Sequence, residues 1–317
     1  MDKIGFGCAR LTANFTEKQA ISNLEVAFEN GVTHFDVARL YGFGLAEGML
    51  GKFTNGKRDK ITITTKFGLF PNNSVLKNLF LQNVIRSVFR ASKKLLFRKI
   101  AQNAANTAIS RRLSVADARK SLETSLRELN TEYIDYLLLH EAEIGEANNA
   151  DLLDFLERQK EKGVIGAYGL GSFSRKLLPG FDTLSDRYTI LQTDNSFPER
   201  VPEILLKKEQ IEQRFYFSPF LNFGKITRLF KEQPLLKAAV IKKLGLSSMT
   251  TVIELCLMNQ VNSDPTGTLL FASSDNKKIR DTIRNWEKVS SLRKERYVNF
   301  EEVRSLISEK LTQSSAM

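Results

Sequence analysis

Cysteine and histidine are scarce in this chain of 317 residues, with two of each. Cys8 and Cys256 cannot build a disulfide framework, and His34 and His140 are too few for a His-rich metal centre. Neither a zinc enzyme nor a disulfide scaffold is expected, and no metal site is assigned. Proline (seven) and glycine (18) stay at the levels of an ordinary globular protein. Long apolar runs are missing too: none approaches the ~18 residues that a membrane-spanning helix needs. The stretch from Met1 to Leu11 has no apolar segment preceded by basic residues and no cleavage-like site, so the expected location is the cytoplasm.

Acidic residues are absent from one long stretch. Between Asp59 and Asp117 there is no Asp or Glu, while Lys60, Lys66, Lys77, Arg86, Arg90, Lys93, Lys94, Arg98, Lys99, Arg111 and Arg112 supply eleven positive charges. These account for the whole net charge of +11, because the other 36 Lys and Arg face 36 Asp and Glu. A uniformly basic nucleic-acid binder is therefore not expected. What remains is a neutral globular protein with one basic insert, long enough to bury about three-quarters of its unfolded surface.

Periodicity organises that protein into alternating elements. Runs rich in Ile, Val, Thr and Phe predict strands at Ile4–Gly7, Val32–Asp36, Ile61–Thr65, Ile134–Leu139, Ile165–Gly169, Tyr188–Gln192, Phe215–Phe217 and Thr268–Phe271. Between them, helical spacing covers Glu17–Glu29 behind the N-cap candidate Thr16, Asp117–Leu129 and Leu152–Glu161. Leu122, Leu126 and Leu129 form an i, i+4, i+7 stripe. Nearly continuous apolar strands such as Tyr136–Leu139 suit a parallel sheet buried on both faces. Eight strand–helix alternations in about 300 residues predict an α/β protein, a (β/α)8 barrel forming a single domain over 1–317 with an insertion at 71–112 after the third strand. The competing doubly wound nucleotide-binding sheet needs a third glycine after Gly5-Phe6-Gly7, and none stands at the required spacing.

In such barrels chemistry collects at the C-terminal ends of the strands. Here Asp36, Lys66 and His140 end the second, third and fourth strands, and Tyr41 follows in the glycine-flanked loop Leu40-Tyr41-Gly42-Phe43-Gly44. Each residue alone has an ordinary structural use, as a cap, a loop anchor or a rim histidine. Together a phenol, an ammonium, a carboxylate and an imidazole make a proton-donating set. A buried Lys66 needs an anion, which Asp36 can provide, and Lys66 beside Tyr41 is expected to lower the phenol pKa toward neutrality.

At these positions the chain resembles the aldo-keto reductase family. Asn30-Gly31-Val32-Thr33-His34-Phe35-Asp36-Val37-Ala38-Arg39-Leu40-Tyr41-Gly42, continued by Glu47 and Leu50-Gly51, resembles the family signature. Thr65-Lys66-Phe67-Gly68 and Tyr133–His140 resemble its later segments. The resemblance implies an NADP(H)-dependent oxidoreductase in which Tyr41 donates the proton, Lys66 and Asp36 tune it, and His140 orients a carbonyl oxygen. It also implies a cofactor site, with NAD(H) as a possible substitute. Gln192 resembles the carboxamide-binding glutamine, beside Gly171 and Ser172. Phe217, before Ser218, Pro219 and Phe220, resembles the stacking aromatic, and Ser273, Ser274, Lys278 and Asp281 resemble the segment gripping the adenosine phosphate. Gly171-Ser172 stands where the family usually has Ser-Asn, Ala272 replaces a frequent Gly or Lys, and Thr282 a frequent Asn.

Substrate choice is expected to rest on loops 71–112 and 222–233, with a small carbonyl compound or sugar-like alcohol as partner and no nucleic acid. Val75–Ile100 reads as a helix carrying Leu76, Phe80, Val84 and Val88 against Arg86, Arg90, Lys93 and Lys94. Three uses fit it: a solvated basic face, a contact with an anionic membrane or acidic partner, or a lid over an acidic substrate. The alternative to an enzyme is an idle NADP(H)-binding barrel that reports redox state through this insert.

Overall fold

The computed structural model describes residues 3–13, 16–71, 109–291 and 299–316. Eight strands pair in parallel around a closed barrel: β1 (Ile4–Gly7), β2 (His34–Asp36), β3 (Thr62–Phe67), β6 (Ile134–His140), β7 (Ile165–Gly171), β8 (Ile190–Asp194), β9 (Gln213–Phe217) and β10 (Thr268–Phe271), the last returning to β1. Every strand expected from the sequence is present, with ends displaced by a few residues, most visibly at β8 and β9. A short antiparallel ribbon was not expected. Its strands, β4 (Leu69–Pro71) and β5 (Ile109–Arg111), pair Leu69 with Arg111 and join the two ends of the basic insert. Arg111, one of the eleven cations, forms ion pairs with Glu143 and Glu146. The helix expected at 75–100 lies outside the described residues.

Helices surround the barrel, and their starts follow local chemistry. Thr16 caps α1 (Glu17–Glu29), accepting from the Gln19 amide. The helix α2 (Leu45–Phe53) follows the Tyr41–Gly44 turn. Ser114 caps α3 (Val115–Leu129), and Asn149 caps α4 (Ala150–Glu161). Each therefore begins two residues before the position read from apolar spacing, because the capping oxygen sets the first turn. In the expected stripe, Leu122 and Leu129 are buried and Leu126 is half-buried. The segment 222–233 is a correction: it is a helix, α5 (Phe223–Glu232), with Ile226, Leu229 and Phe230 buried at i, i+3 and i+4. Thereafter come α6 (Pro234–Leu244), α7 (Thr251–Ser263), α8 (Asn276–Ser290) and α9 (Phe300–Ala316). Among the described residues no helix is long and apolar enough to cross a membrane.

Strand alternation divides the core in two. Phe6, Phe35, Ile63, Leu137, Leu139 and Leu191 belong to the large cluster between barrel and helices. Leu138, Ile190, Phe215 and Leu270 form a second, smaller cluster inside the barrel. His34 joins that interior, stacked 4.5 Å from Phe215 and 3.2 Å from the Thr64 hydroxyl. Two residues further along each strand, on the same inward face, stand Asp36, Lys66, His140, Gln192, Phe217 and Ala272. The packed interior is thus the floor of whatever these side chains do.

Candidate active site

A cleft of about 620 Å³ opens at the C-terminal mouth of the barrel, and Asp36, Tyr41, Lys66 and His140 all line it. Barrel order makes their strands neighbours, β2 beside β3 beside β6. Tyr41 arrives on the tight turn Tyr41–Gly44, where Gly42 has φ +60° and a Cβ would sit 2.1 Å from Thr12 Cγ2. Only glycine lets that turn pack on the turn after β1.

Lys66 is 2% exposed and surrounded by acceptors. Its Nζ lies 2.7 and 2.8 Å from the two Asp36 oxygens, 3.1 Å from the Val37 carbonyl and 3.2 Å from Tyr41 Oη. An ammonium only donates, so the Tyr41 oxygen must accept from Lys66 and its own hydrogen points elsewhere. Burial by itself would drive the Lys66 proton off; the Asp36 carboxylate and the Tyr41 hydroxyl outweigh it and hold the ammonium above its ordinary pKa. The charged form is the one that polarises the phenol.

The expected lowering of the Tyr41 pKa is not what the structure yields. Burial pushes the phenol above its ordinary value, against the downward pull of Lys66, and Asp36 adds to the rise. Tyr41 therefore keeps its proton at neutral pH. Burial, then the charges of Lys66 and Lys176, push His140 well below the ordinary imidazole pKa, so it is neutral. The His140 ring stands edge-on to Tyr41 with centroids 5.8 Å apart, and its buried Nδ1 has no hydrogen-bond partner among the described residues.

On the opposite wall are Gly171, Ser172, Gln192, Phe217, Ser218, Pro219 and Phe220. Gln192 donates through Nε2 to Asp36 Oδ1 at 2.7 Å. Ser172 Oγ is buried without a partner among the described residues. Phe217 meets Phe173 edge to face at 5.1 Å. Ser273, Ser274, Lys278 and Asp281 are not among the lining residues. Asp275 caps α8 through the Lys278 amide at 3.1 Å, while the Lys278 side chain is exposed. Asp281 pairs with Lys277 at 2.7 Å and with Arg284.

Sequence reasoning missed part of this site. Ala9, Arg10, Leu40, Glu141, Phe173 and Leu221 also line the cleft. Their common signal is position, one to four residues beyond a strand end or a recognised site residue. Also missed was the support beneath Tyr41. Glu47 is fully buried, pairs with Arg39, and accepts from the Thr65 and Ser125 hydroxyls at 2.7 Å each. This ties the tyrosine loop to β3 and α3.

A closed parallel barrel with an ammonium, carboxylate, phenol and imidazole converging at its mouth defines a class of α/β barrel whose cleft holds groups able to donate a proton. Residues 3–196 match the model of the aldo/keto reductase family, and the chain belongs to that family. An aldo-keto reductase of Bacillus subtilis is 25% identical over 218 residues, covering 67% of this chain and 51% of that protein. A D-threo-aldose 1-dehydrogenase of a Pseudomonas species is 29% identical over 178 residues, 53% of this chain and 49% of that one. The chain thus spans about half the length of these relatives. Among solved structures, an aldo-keto reductase of Bacillus halodurans superposes with TM-score 0.68 at 20% identity, covering 97% of this chain and 91% of that one. One from Klebsiella pneumoniae in complex with NADPH reaches 0.63 at 15% identity, covering 95% and 90%. At these identities the superpositions establish the fold.

Proposed function

We propose that the chain reduces a small carbonyl compound to its alcohol with NADPH, with Tyr41 as the proton donor. The observation that carries this reading is the Lys66–Tyr41 contact: it leaves the phenolic hydrogen directed away from the ammonium, inside a cleft large enough for a substrate. An alkoxide is a much stronger base than a phenolate, so a Tyr41 whose pKa lies above its ordinary value still donates to it. Lys66 stabilises the phenolate that results, and Asp36 keeps Lys66 charged. A neutral His140 orients the carbonyl oxygen by donating a hydrogen bond, without competing for the proton.

The residues present fit a nicotinamide cofactor. The unpartnered Ser172 hydroxyl and the Gln192 amide suit a carboxamide, Phe217 offers a ring face, and the exposed Lys278 at the start of α8 suits a ribose phosphate. When bound, NADPH supplies the hydride. Aldo-keto reductase relatives, including one solved with NADPH, support the choice of cofactor. Asp275, which caps α8, places a carboxylate near that phosphate position, so NADH is the cofactor to compare. Mixing the purified protein with NADPH or NADH and a panel of aldehydes, ketones and sugars, and following nicotinamide absorbance, tests the proposal. Absence of turnover with a bound cofactor would support the idle, redox-reporting barrel instead.

A further inference from the structure

We propose that Arg10 recognises an anionic group on the substrate, so that the cleft selects carbonyl compounds bearing a carboxylate on an apolar body. This rests on the carbonyl-reductase reading above. Among the described residues, four charged side chains line the cleft: Arg10, Asp36, Lys66 and Glu141. Asp36 and Lys66 neutralise each other, and Glu141 is paired with Lys176. Arg10 is exposed, and its side chain forms no hydrogen bond or ion pair among the described residues. Among the described residues the cleft therefore carries one uncompensated positive charge. No carboxylate can reach it from 72–108, because that stretch contains no Asp or Glu.

Position makes this charge relevant to substrate. Arg10 sits in the turn Cys8–Ala13, which begins where β1 ends, and Gly7 pairs in register with Asp36 on β2. That turn interlocks with the turn carrying Tyr41, as the close approach of Gly42 to Thr12 shows. A ligand held by Arg10 is thereby held from the same side of the cleft as the proton donor. Leu40, on the Tyr41 side, and Phe173 and Phe217, on the opposite wall, give the same cleft an apolar lining. A guanidinium offers a planar, two-pronged donor that matches a carboxylate. The side chains suited to the cofactor stand on β7 to β10 and beyond, whereas Arg10 stands on the β1 and β2 side with Tyr41. Because β1 also borders β10, a cofactor phosphate would present the same chemistry, and the experiment must separate the two sources.

The test compares the parent with Arg10→Gln and Arg10→Lys, using 4-carboxybenzaldehyde and benzaldehyde as substrates. The expected result is that Arg10→Gln raises the ratio of the KM for the charged aldehyde to that for the neutral one about tenfold, equivalent to about 1.4 kcal/mol. Arg10→Lys should recover part of it, and added salt should shrink the parent's preference. Equilibrium titration of the NADP⁺-mixed protein with benzoate should show a matching loss of affinity in Arg10→Gln. An unchanged KM ratio overturns the proposal. So does weaker NADPH binding at an unchanged ratio, which would assign Arg10 to the cofactor phosphate. If neither aldehyde is turned over, the carbonyl-reductase reading fails, and the benzoate titration alone decides whether Arg10 binds the anion.

Discussion

The Lys66 ammonium donates to the Tyr41 hydroxyl at 3.2 Å, the longest of its four contacts, while both oxygens of Asp36 hold it at 2.7 and 2.8 Å. The carboxylate fixes the ammonium, and the ammonium in turn orients the phenol. Replacing Tyr41 by Phe removes one proton source and little volume. Turnover should fall about 10²- to 10⁴-fold, with cofactor affinity within a few-fold of the parent. Initial rates and a cofactor titration check this; near-parental rates would remove Tyr41 from its role.

Asp36→Asn should act through Lys66. Without the carboxylate, burial prevails and the ammonium loses its proton more easily, since burial is the largest influence on Lys66 and lowers its pKa. Activity that needs charged Lys66 should then decline at a lower pH on the alkaline side than in the parent. A pH profile of kcat measured with saturating cofactor decides the matter. An unmoved alkaline limb would show that Asp36 does not set the charge of Lys66.

His34 makes the fold acid-sensitive. Its pKa is lowered from 6.5 to about 3, first by burial and then by Lys66. Between those values the unfolded chain takes up a proton that the folded one refuses. The His34 contribution to stability is therefore complete above pH 6.5 and is lost as pH falls toward 3, at up to ~1.4 kcal/mol per pH unit. His140, shifted in the same direction, adds to the slope. Urea unfolding at pH 7 and pH 5 should show His34→Phe losing less stability than the parent. Equal losses would count against a neutral buried His34.

Arg39→Met should destabilise the protein by about 3 kcal/mol, because among the described residues it leaves the buried Glu47 carboxylate with only the Thr65 and Ser125 hydroxyls. Adding Glu47→Leu should restore part of the loss by removing the stranded charge. Urea midpoints of the single and double variants measure both effects, and a double variant worse than the single one would contradict this account.

Lys278→Ala should weaken NADPH binding about tenfold while changing NADH binding little, since only NADPH carries the extra phosphate and a charge-assisted hydrogen bond to it is lost. Fluorescence titration with both cofactors distinguishes this from an equal loss, which would place Lys278 elsewhere.

Much of this molecule is written locally in its sequence. A buried parallel strand announces itself by a continuous apolar run, and a polar residue at its end stands out against that run. Asp36, Lys66 and His140 could therefore be recognised together with their strands, and Tyr41 through its glycines. Caps such as Ser114 and Asn149 are also local, although apolar spacing alone placed those helix starts two residues late. Other features depend on groups far apart in the chain. The direction of the Tyr41 shift is one of them: the Lys66–Asp36 pair is visible in the residues, whereas the burial that outweighs it is not. The pairing of Glu47 with Arg39, Thr65 and Ser125 arises only when α2 packs against β3 and α3, and the charge of Arg10, solitary among the described residues, only when its turn meets the other strand ends at the mouth of the barrel. Charge compensation and burial depend on which side chains meet in space, and only the tertiary structure decides that.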